Sequence, residues 1–246
     1  VGFESYQYAQ LHNTRAPSPL LLWGQQKTHS VEQQLALLGW TGVPVTDRPR
    51  TQLGISSAAD EKVKQLLADA ALTDRKIALI HPAAAFATKQ WATENFARVA
   101  EFVSDRGFAP VAIAAPNEKA LLAKLCSEAT VKITTLDLSL PEVTALAAQS
   151  QLFVGNDSGI AHIAAAVGTP AVVIFGSSNI AHWRPWNSAP AEVVFEEMPC
   201  QPCHGYFCEK FDQPECILRV PVTRVIAAID RLCRGGPPSP PQDRNS

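Results

Sequence analysis

Residues 154–186 constrain the fold of this chain more than any other stretch. An apolar run ends there in a polar turn, residues 156–158 (Asn-Asp-Ser), and all three residue types favour helix N-caps. A small-residue helix follows and stops at Gly168, an expected C-cap glycine, before a second apolar run over residues 171–175. Such a strand–helix–strand unit gives parallel strands with a right-handed crossover, and ligands bind at their carboxyl ends.

The start of that predicted helix has the chemistry of an anion site. Ser158 and Gly159 would present backbone N–H groups at the positive end of the helix dipole. His162 follows Ser158 by four residues, which places both side chains on one face of the first turn. The alternative is that Asp157 and Ser158 only cap a buried helix and that His162 is a hydrogen-bonded core histidine.

From residue 76 onward, apolar strands alternate with amphipathic helices, which predicts an α/β fold with a doubly wound parallel sheet. The predicted strands cover residues 76–80, 110–114, 131–136, 152–154, 171–175 and 192–195. The predicted helices cover residues 93–106, 118–126, 139–149, 158–167 and 222–232.

The first 75 residues are less regular. Two helices are predicted there, over residues 29–38 and 60–70, among many prolines and glycines. We therefore expect residues 1–50 to be the remnant of a preceding domain, 51–75 a linker helix, 76–234 the main domain, and the proline-rich residues 235–246 a disordered tail.

The composition is that of an ordinary globular chain. Of its 246 residues, 46% are hydrophobic and 18% are charged. No apolar run reaches the roughly 18 residues that a membrane-spanning helix needs, and the first residues lack a signal-peptide pattern. A formal net charge of −2 gives no general attraction to nucleic acid. We expect a cytoplasmic protein that does not bind nucleic acid.

Polar loops follow other strands at the same predicted sheet edge. Lys89, in the loop after the first strand, can act as a point charge for a phosphate, or can be a solvated surface lysine. Glu118 can accept hydrogen bonds from a ribose, or can be an ordinary first-turn glutamate. Residues 176–179 offer hydroxyls and amides, or form a plain turn.

Four of the six cysteines lie close together in sequence, at Cys200, Cys203, Cys208 and Cys216. Four thiolates satisfy tetrahedral zinc, or an iron–sulfur cluster. Their spacing differs from the paired C-x-x-C arrangement of a zinc ribbon, so unligated thiols or redox-active pairs are the alternative.

Over about residues 76–232 the chain resembles glycosyltransferase family 9, the ADP-heptose–lipopolysaccharide heptosyltransferases. The motifs that carry the resemblance are HPAAAFATKQWATENFARVA, LSLPEVTALAAQSQLFVGNDSGIAHIAAAVGTPAVVIFGSSN, WRPW and the late C-x-x-C segment, in that order. Residues 1–50, with GFESYQYAQLHNTR and HSVEQQLALLG, resemble the end of the family's N-terminal acceptor domain.

The resemblance implies the Rossmann-like C-terminal half of a GT-B glycosyltransferase. It implies an inverting, metal-independent transfer of heptose from ADP-heptose to a lipopolysaccharide core or similar glycan, without a cofactor. The acceptor would be a glycolipid, which places the protein at the inner face of the cytoplasmic membrane. The sequence contains no Asp-x-Asp motif, which agrees with protein groups taking the place of a divalent metal.

Site residues follow from the resemblance by position. Lys89, Ser158, Gly159 and His162 would hold the donor diphosphate, and Asp157 would shape the turn or contact the sugar. Glu118 would face the ribose, Leu138 would line the adenine pocket, and Ser178 stands where the family usually has threonine.

The chain also departs from the family pattern. Ala83 replaces a common glycine, and Asn179-Ile180 replaces the usual Asp-Pro. The family's general base is expected in the N-terminal region that precedes these residues, so no catalytic residue is assigned. The function that we expect is glycosyl transfer, and the alternatives are a catalytically silent nucleotide-sugar-binding fragment, or the cysteine cluster as the functional centre. For residues 1–246 alone we expect donor binding without transfer.

Overall fold

The computed structural model describes residues 1–25, 27–187, 189–203 and 206–235. Within these residues, the strands are β1 (Gly2–Phe3), β2 (Arg15–Ala16), β3 (Lys76–His81), β4 (Phe108–Ala112), β5 (Thr134–Thr135), β6 (Leu152–Asn156), β7 (Ala171–Phe175) and β8 (Ala191–Phe195). The helices are α1 (Pro19–Trp23), α2 (Ser30–Trp40), α3 (Ser57–Asp69), α4 (Thr93–Asp105), α5 (Lys119–Glu128), α6 (Leu140–Gln149), α7 (Gly159–Ala166), α8 (Ile180–Trp183), α9 (Glu215–Leu218) and α10 (Val222–Cys233). Single 3-10 turns cover Ala9–Leu11, Ala87–Lys89 and Pro116–Glu118.

Strands β3 to β8 form a parallel sheet in the order β5-β4-β3-β6-β7-β8, while β1 and β2 pair separately. The chain winds outward from β3 to β5 and then restarts beside β3 with β6, so the topology reverses between these two strands. His81, the last residue of β3, lies opposite Gly155 near the end of β6. This confirms the predicted doubly wound sheet, and its ligand crevice is expected where β3 and β6 end.

Helices cover both faces of the sheet. On one face, α4, α5 and α10 pack on alternate strand residues such as Ala78 and Ile80. On the other face, α3, α6 and α7 pack on the intervening residues, including Ile77 and Leu79. Because both faces are buried, the strand sequences are continuously apolar, as is typical of parallel sheets.

Most predicted elements are found, with shifts at their ends. Strand β7 matches its prediction because Pro170 and Gly176 bound it closely. Strand β4 begins at Phe108 instead of residue 110, because Gly107 reverses the chain at a positive φ of 83° immediately before it. Strand β5 pairs with β4 only from Val111 onward, so Pro110 lies where a missing N–H is tolerated.

The N-terminal part of the chain packs against the loop that follows β7. The His29 ring stacks on the Trp186 ring with centroids 4.7 Å apart, and its Nε2 lies 2.7 Å from the Arg184 carbonyl oxygen. Gln33 Nε2 lies 3.2 Å from His182 Nδ1. We call these contacts the His29–Trp186 joint.

Two further findings concern the predicted organisation. The division into domains stays a prediction, and residues 236–246 of the expected tail lie outside the described residues. In the part of the chain that the structure describes, no helix combines the length and the apolarity needed to cross a bilayer.

Gly176, the first residue after β7, lies directly against the loop that follows β3. A β-carbon at this position would overlap the Thr88 carbonyl oxygen and would lie 3.0 Å from Ile217 Cβ. The glycine therefore lets two loops of the sheet edge approach each other at backbone distance.

We expect Gly176→Ala to destabilise the protein by about 1–3 kcal/mol, because the added methyl group forces two backbone segments apart. The matched control is Gly159→Ala, where a β-carbon meets nothing within 4 Å. Urea denaturation measures both variants. Equal free energies of unfolding for the two variants would contradict the close approach at Gly176.

Acidification is expected to weaken the His29–Trp186 joint. His29 Nδ1 accepts a hydrogen bond from the Val31 N–H, which requires the unprotonated ring nitrogen. Burial lowers the pKa of both His29 and His182 below the ordinary value of 6.5. As the pH is lowered, the histidines of the unfolded chain therefore take up protons before those of the folded protein. This contribution to the free energy of unfolding is complete above the ordinary pKa and is lost as the pH drops below it.

The urea concentration at the unfolding midpoint should therefore decrease as the pH is lowered from about 7.5 to about 5.5. The His182→Gln variant, which retains a hydrogen-bonding amide and does not titrate, should lose less stability over the same range. If the urea midpoints of wild type and variant depended on pH in the same way, protonation of His182 would not affect the stability of the joint.

Candidate functional site

The buried side chain of Asn156, at the end of β6, fixes the loop that follows β3. Asn156 Oδ1 accepts a hydrogen bond from the Trp91 N–H at 3.1 Å, and Asn156 Nδ2 donates to the Pro82 carbonyl oxygen at 2.8 Å. Trp91 is itself buried, and its indole N–H donates to the Val220 carbonyl oxygen at 2.9 Å. Both ends of the loop that contains Lys89 are thereby tied to the sheet.

Three predicted site residues meet beside Asn156. Lys89 Nζ lies 2.8 Å from Asp157 Oδ2, and Ser178 Oγ donates to the same oxygen at 2.6 Å. Asp157 is buried and Lys89 is only 22% exposed. Since the three side chains come from the loops after β3, β6 and β7, the fold brings them together from distant parts of the sequence. An ammonium has three N–H donors, and Asp157 accepts one of them.

The N-terminus of α7 opens beside this ion pair. Ser158 occupies the N-cap position, but its hydroxyl makes no capping bond and instead lies 3.3 Å from His81 Nδ1. Asp157 precedes the N-cap: its N–H donates to the Ile174 carbonyl oxygen and continues the strand ladder, and its carboxylate pairs with Lys89 and Ser178. Space is open at Gly159, where a β-carbon would touch nothing.

Two histidines near this turn are held neutral. Burial lowers the pKa of His81 to about 4. Burial is also the largest cause that lowers the pKa of His162, with the nearby Lys89 charge acting in the same direction and Asp157 against it. His162 therefore lies within electrostatic range of the ion pair, and both rings enter the site as neutral imidazoles at pH 7.

Glu118 and Leu138 lie farther along the sheet edge, after β4 and before α6. Glu118 Oε2 accepts a hydrogen bond from the Ala115 N–H at 2.9 Å, which closes the turn before α5 and agrees with the first-turn alternative. Leu138 is half-buried against the core on the α6 face. A cavity of about 350 Å³ lies beside these loops, between α5 and the segment around Leu136.

Of the four clustered cysteines, Cys216 is buried in α9, whereas Cys200 and Cys208 are partly buried and Cys203 is exposed. Burial raises the pKa of Cys216 to about 11, and the nearby thiols of Cys203, Cys200 and Cys208 raise it further. All four are free thiols. Among the described residues, no set of three or more histidine, cysteine or acidic side chains is arranged to hold a metal ion.

The loop that carries these cysteines is fastened to the end of β7. Gln201 Nε2 donates to the Gly176 carbonyl oxygen at 2.6 Å, and the Cys203 N–H donates to the Ser177 carbonyl oxygen at 3.0 Å. The sequence indicates only a metal candidate in this segment, and no pattern in it predicts that the segment borders the site.

Several positioning residues were also missed. Asn156 was considered only as a cap, although a polar residue that continues an apolar strand is a signal of a buried hydrogen-bonding role. His81 ends a strand in the same way. Phe86 gave no signal, because its importance depends on contacts with residues far along the chain.

The arrangement is suited to binding an anion. A lysine, a hydroxyl, a neutral imidazole and the N-terminus of α7 converge at the edge where β3 and β6 end. Such preorganised groups stabilise negative charge that develops on a leaving group.

Comparison with known proteins agrees with this geometry. A model of glycosyltransferase family 9 (heptosyltransferase) matches residues 20–211. Lipopolysaccharide heptosyltransferase 3 of Escherichia coli is 31% identical over 211 residues, which cover 82% of this chain and 59% of that protein. The chain thus spans about three-fifths of the length of this curated relative.

Solved heptosyltransferase structures share the fold. The family 9 glycosyl transferase of Veillonella parvula has a TM-score of 0.72 at 21% identity, over 86% of this chain and 62% of that one. E. coli heptosyltransferase WaaC with ADP has a TM-score of 0.59 at 16% identity, over 91% of this chain and 61% of that one. These similarities confirm the predicted Rossmann-like half of a GT-B architecture. Because the family match covers most of its length, the chain belongs to glycosyltransferase family 9.

Proposed function

We propose that this chain supplies the donor-binding half of an enzyme that transfers heptose from ADP-heptose to a lipopolysaccharide core. The observation that carries the proposal is the Lys89–Asp157–Ser178 group beside the open N-terminus of α7, at the switch point of the sheet. Two similar proteins support the choice of donor and acceptor, since one is a lipopolysaccharide heptosyltransferase and another was solved with ADP.

In the proposed reaction, an acceptor hydroxyl gives its proton to a general base expected in the N-terminal acceptor domain. The acceptor oxygen then forms the new glycosidic bond as the bond from the sugar C1 to the β-phosphate oxygen breaks. The electron pair of that bond leaves with ADP, so negative charge grows on the diphosphate. Lys89, the first amides of α7 and the helix dipole lie where that charge develops and lower its energy. Attack from the opposite face inverts C1, and these protein groups make a divalent metal unnecessary.

Asp157 prepares Lys89 for this role. Its carboxylate holds the ammonium in place before the donor arrives, so little conformational entropy is lost on binding. Ser178 donates to the same carboxylate and fixes its orientation. His162, kept neutral by burial, can donate one N–H to a phosphate oxygen.

The strand order suggests how the donor lies along the sheet edge. Glu118 and Leu138 lie after β4 and β5, and we place the ribose and adenine there. The diphosphate then lies over β3 and β6, near Lys89 and Ser158. To accept a hydrogen bond from a ribose hydroxyl, Glu118 must either give up its bond from the Ala115 N–H or use its other carboxylate oxygen.

Replacing Lys89 or His162 with alanine is expected to weaken ADP binding by about 1–3 kcal/mol each, the usual scale for a charge-assisted hydrogen bond. Calorimetry with ADP measures the affinity, and thermal denaturation checks that each variant is folded. The matched control is Lys64→Ala, since Lys64 also pairs with an aspartate, Asp60, but lies exposed on α3. Unchanged affinity in both site variants would place the anion site elsewhere.

A structural zinc ion held by Cys200, Cys203, Cys208 and Cys216 stays a prediction from their spacing. The observation in its favour is that the Cys216 thiol interacts electrostatically with the other three thiols. Metal analysis of protein purified anaerobically tests it. Less than about half an equivalent of zinc per chain would contradict a structural site, because such ions are bound tightly.

A further inference from the structure

Two aromatic rings lie beside the proposed phosphate site. The rings of Phe86 and Tyr206 meet edge to face, with centroids 4.5 Å apart and planes inclined by 80°. Lys89 Nζ lies 5.8 Å from the centre of the Phe86 ring, so the pair borders the ammonium directly. We call these two residues the aromatic pair.

The aromatic pair is built from two loops that the fold holds together. Phe86 belongs to the loop whose ends Asn156 fixes. Tyr206 belongs to the segment that hydrogen-bonds to Gly176 and Ser177 at the end of β7. Tyr206 is 64% exposed, so Phe86 covers only part of its ring and the rest remains accessible to a ligand.

The order of the strands gives the position of the pair along a bound donor. If the nucleoside lies over β4 and β5 and the diphosphate over β3 and β6, the group attached to the β-phosphate lies toward β7. Gln201 and Cys203, which precede Tyr206 by five and three residues, hydrogen-bond at that end of the sheet. The reacting sugars therefore lie on the side of Lys89 where the aromatic pair is found.

We propose that Phe86 and Tyr206 form a platform that binds the apolar face of a sugar ring next to the diphosphate site. The inference rests on the proposed function, because the sugar's position follows from the donor orientation. Pyranose rings present axial C–H groups on one face, and aromatic faces carry the negative potential that attracts them. The bound ring is either the donor's own sugar or a sugar of the acceptor, and the aromatic pair would contact both through the same C–H groups.

Calorimetry distinguishes the two sources with three titrants: ADP, ADP-heptose and a lipid-free core oligosaccharide. The variants are Tyr206→Ala, Tyr206→Phe and, as matched control, Phe207→Ala, which removes the neighbouring exposed ring outside the pair. We expect Tyr206→Ala to bind ADP like the wild type and to bind one of the two sugar ligands about fivefold to tenfold more weakly. Tyr206→Phe and Phe207→Ala should behave like the wild type.

A loss for ADP-heptose assigns the platform to the donor sugar, and a loss for the oligosaccharide assigns it to the acceptor. Unchanged affinity of Tyr206→Ala for both sugar ligands, or an equal loss for ADP, would overturn the proposal. If the wild-type chain binds no ADP, the proposed donor site fails instead, and the oligosaccharide titration still decides whether the platform binds a sugar.

Discussion

The hydrogen bonds of the Asn156 side chain determine the geometry of the whole sheet edge. Water cannot compete for a fully buried amide, so losing either partner would leave a polar group unsatisfied, at a cost of about 1–3 kcal/mol. The amide joins the end of β6 to both ends of the loop after β3. Lys89 and Phe86 both depend on that loop, and the ion pair with Asp157 forms because the loop cannot move away. One residue that touches no ligand thus positions most of the site.

The Lys89–Asp157 pair combines two requirements that usually conflict. A phosphate site needs a cation ready to bind, but a buried unpaired ammonium would be expensive or would lose its proton. Pairing it with a carboxylate from the neighbouring strand keeps the charge in place at little desolvation cost, since Lys89 remains partly exposed. The α7 N-terminus then adds positive potential without another ionised side chain.

The doubly wound sheet can be predicted from the sequence, because it depends on local patterns. Apolar runs bounded by glycine and proline locate β7, and the polar turn after β6 marks the sheet edge where the loops of Lys89 and Ser178 also lie. The boundaries of β4 and the short helices α1, α8 and α9 were not predicted, since packing rather than periodicity determines them. Glu118 binds the backbone of its own turn, which agrees with the first-turn alternative that its position in the sequence offers. The contacts of Phe86 with Tyr206 join residues 120 positions apart, and no local pattern encodes such a distance.

The His29–Trp186 joint connects the N-terminal part of the chain to the loop that carries Ser178. Helix α8 is only four residues long, and it separates Ser178 from the carbonyl of Arg184 that His29 contacts. His29 also lies within electrostatic range of His162. Residues 28–33 are therefore connected, through the single turn of α8, to the loop whose Ser178 hydroxyl orients Asp157.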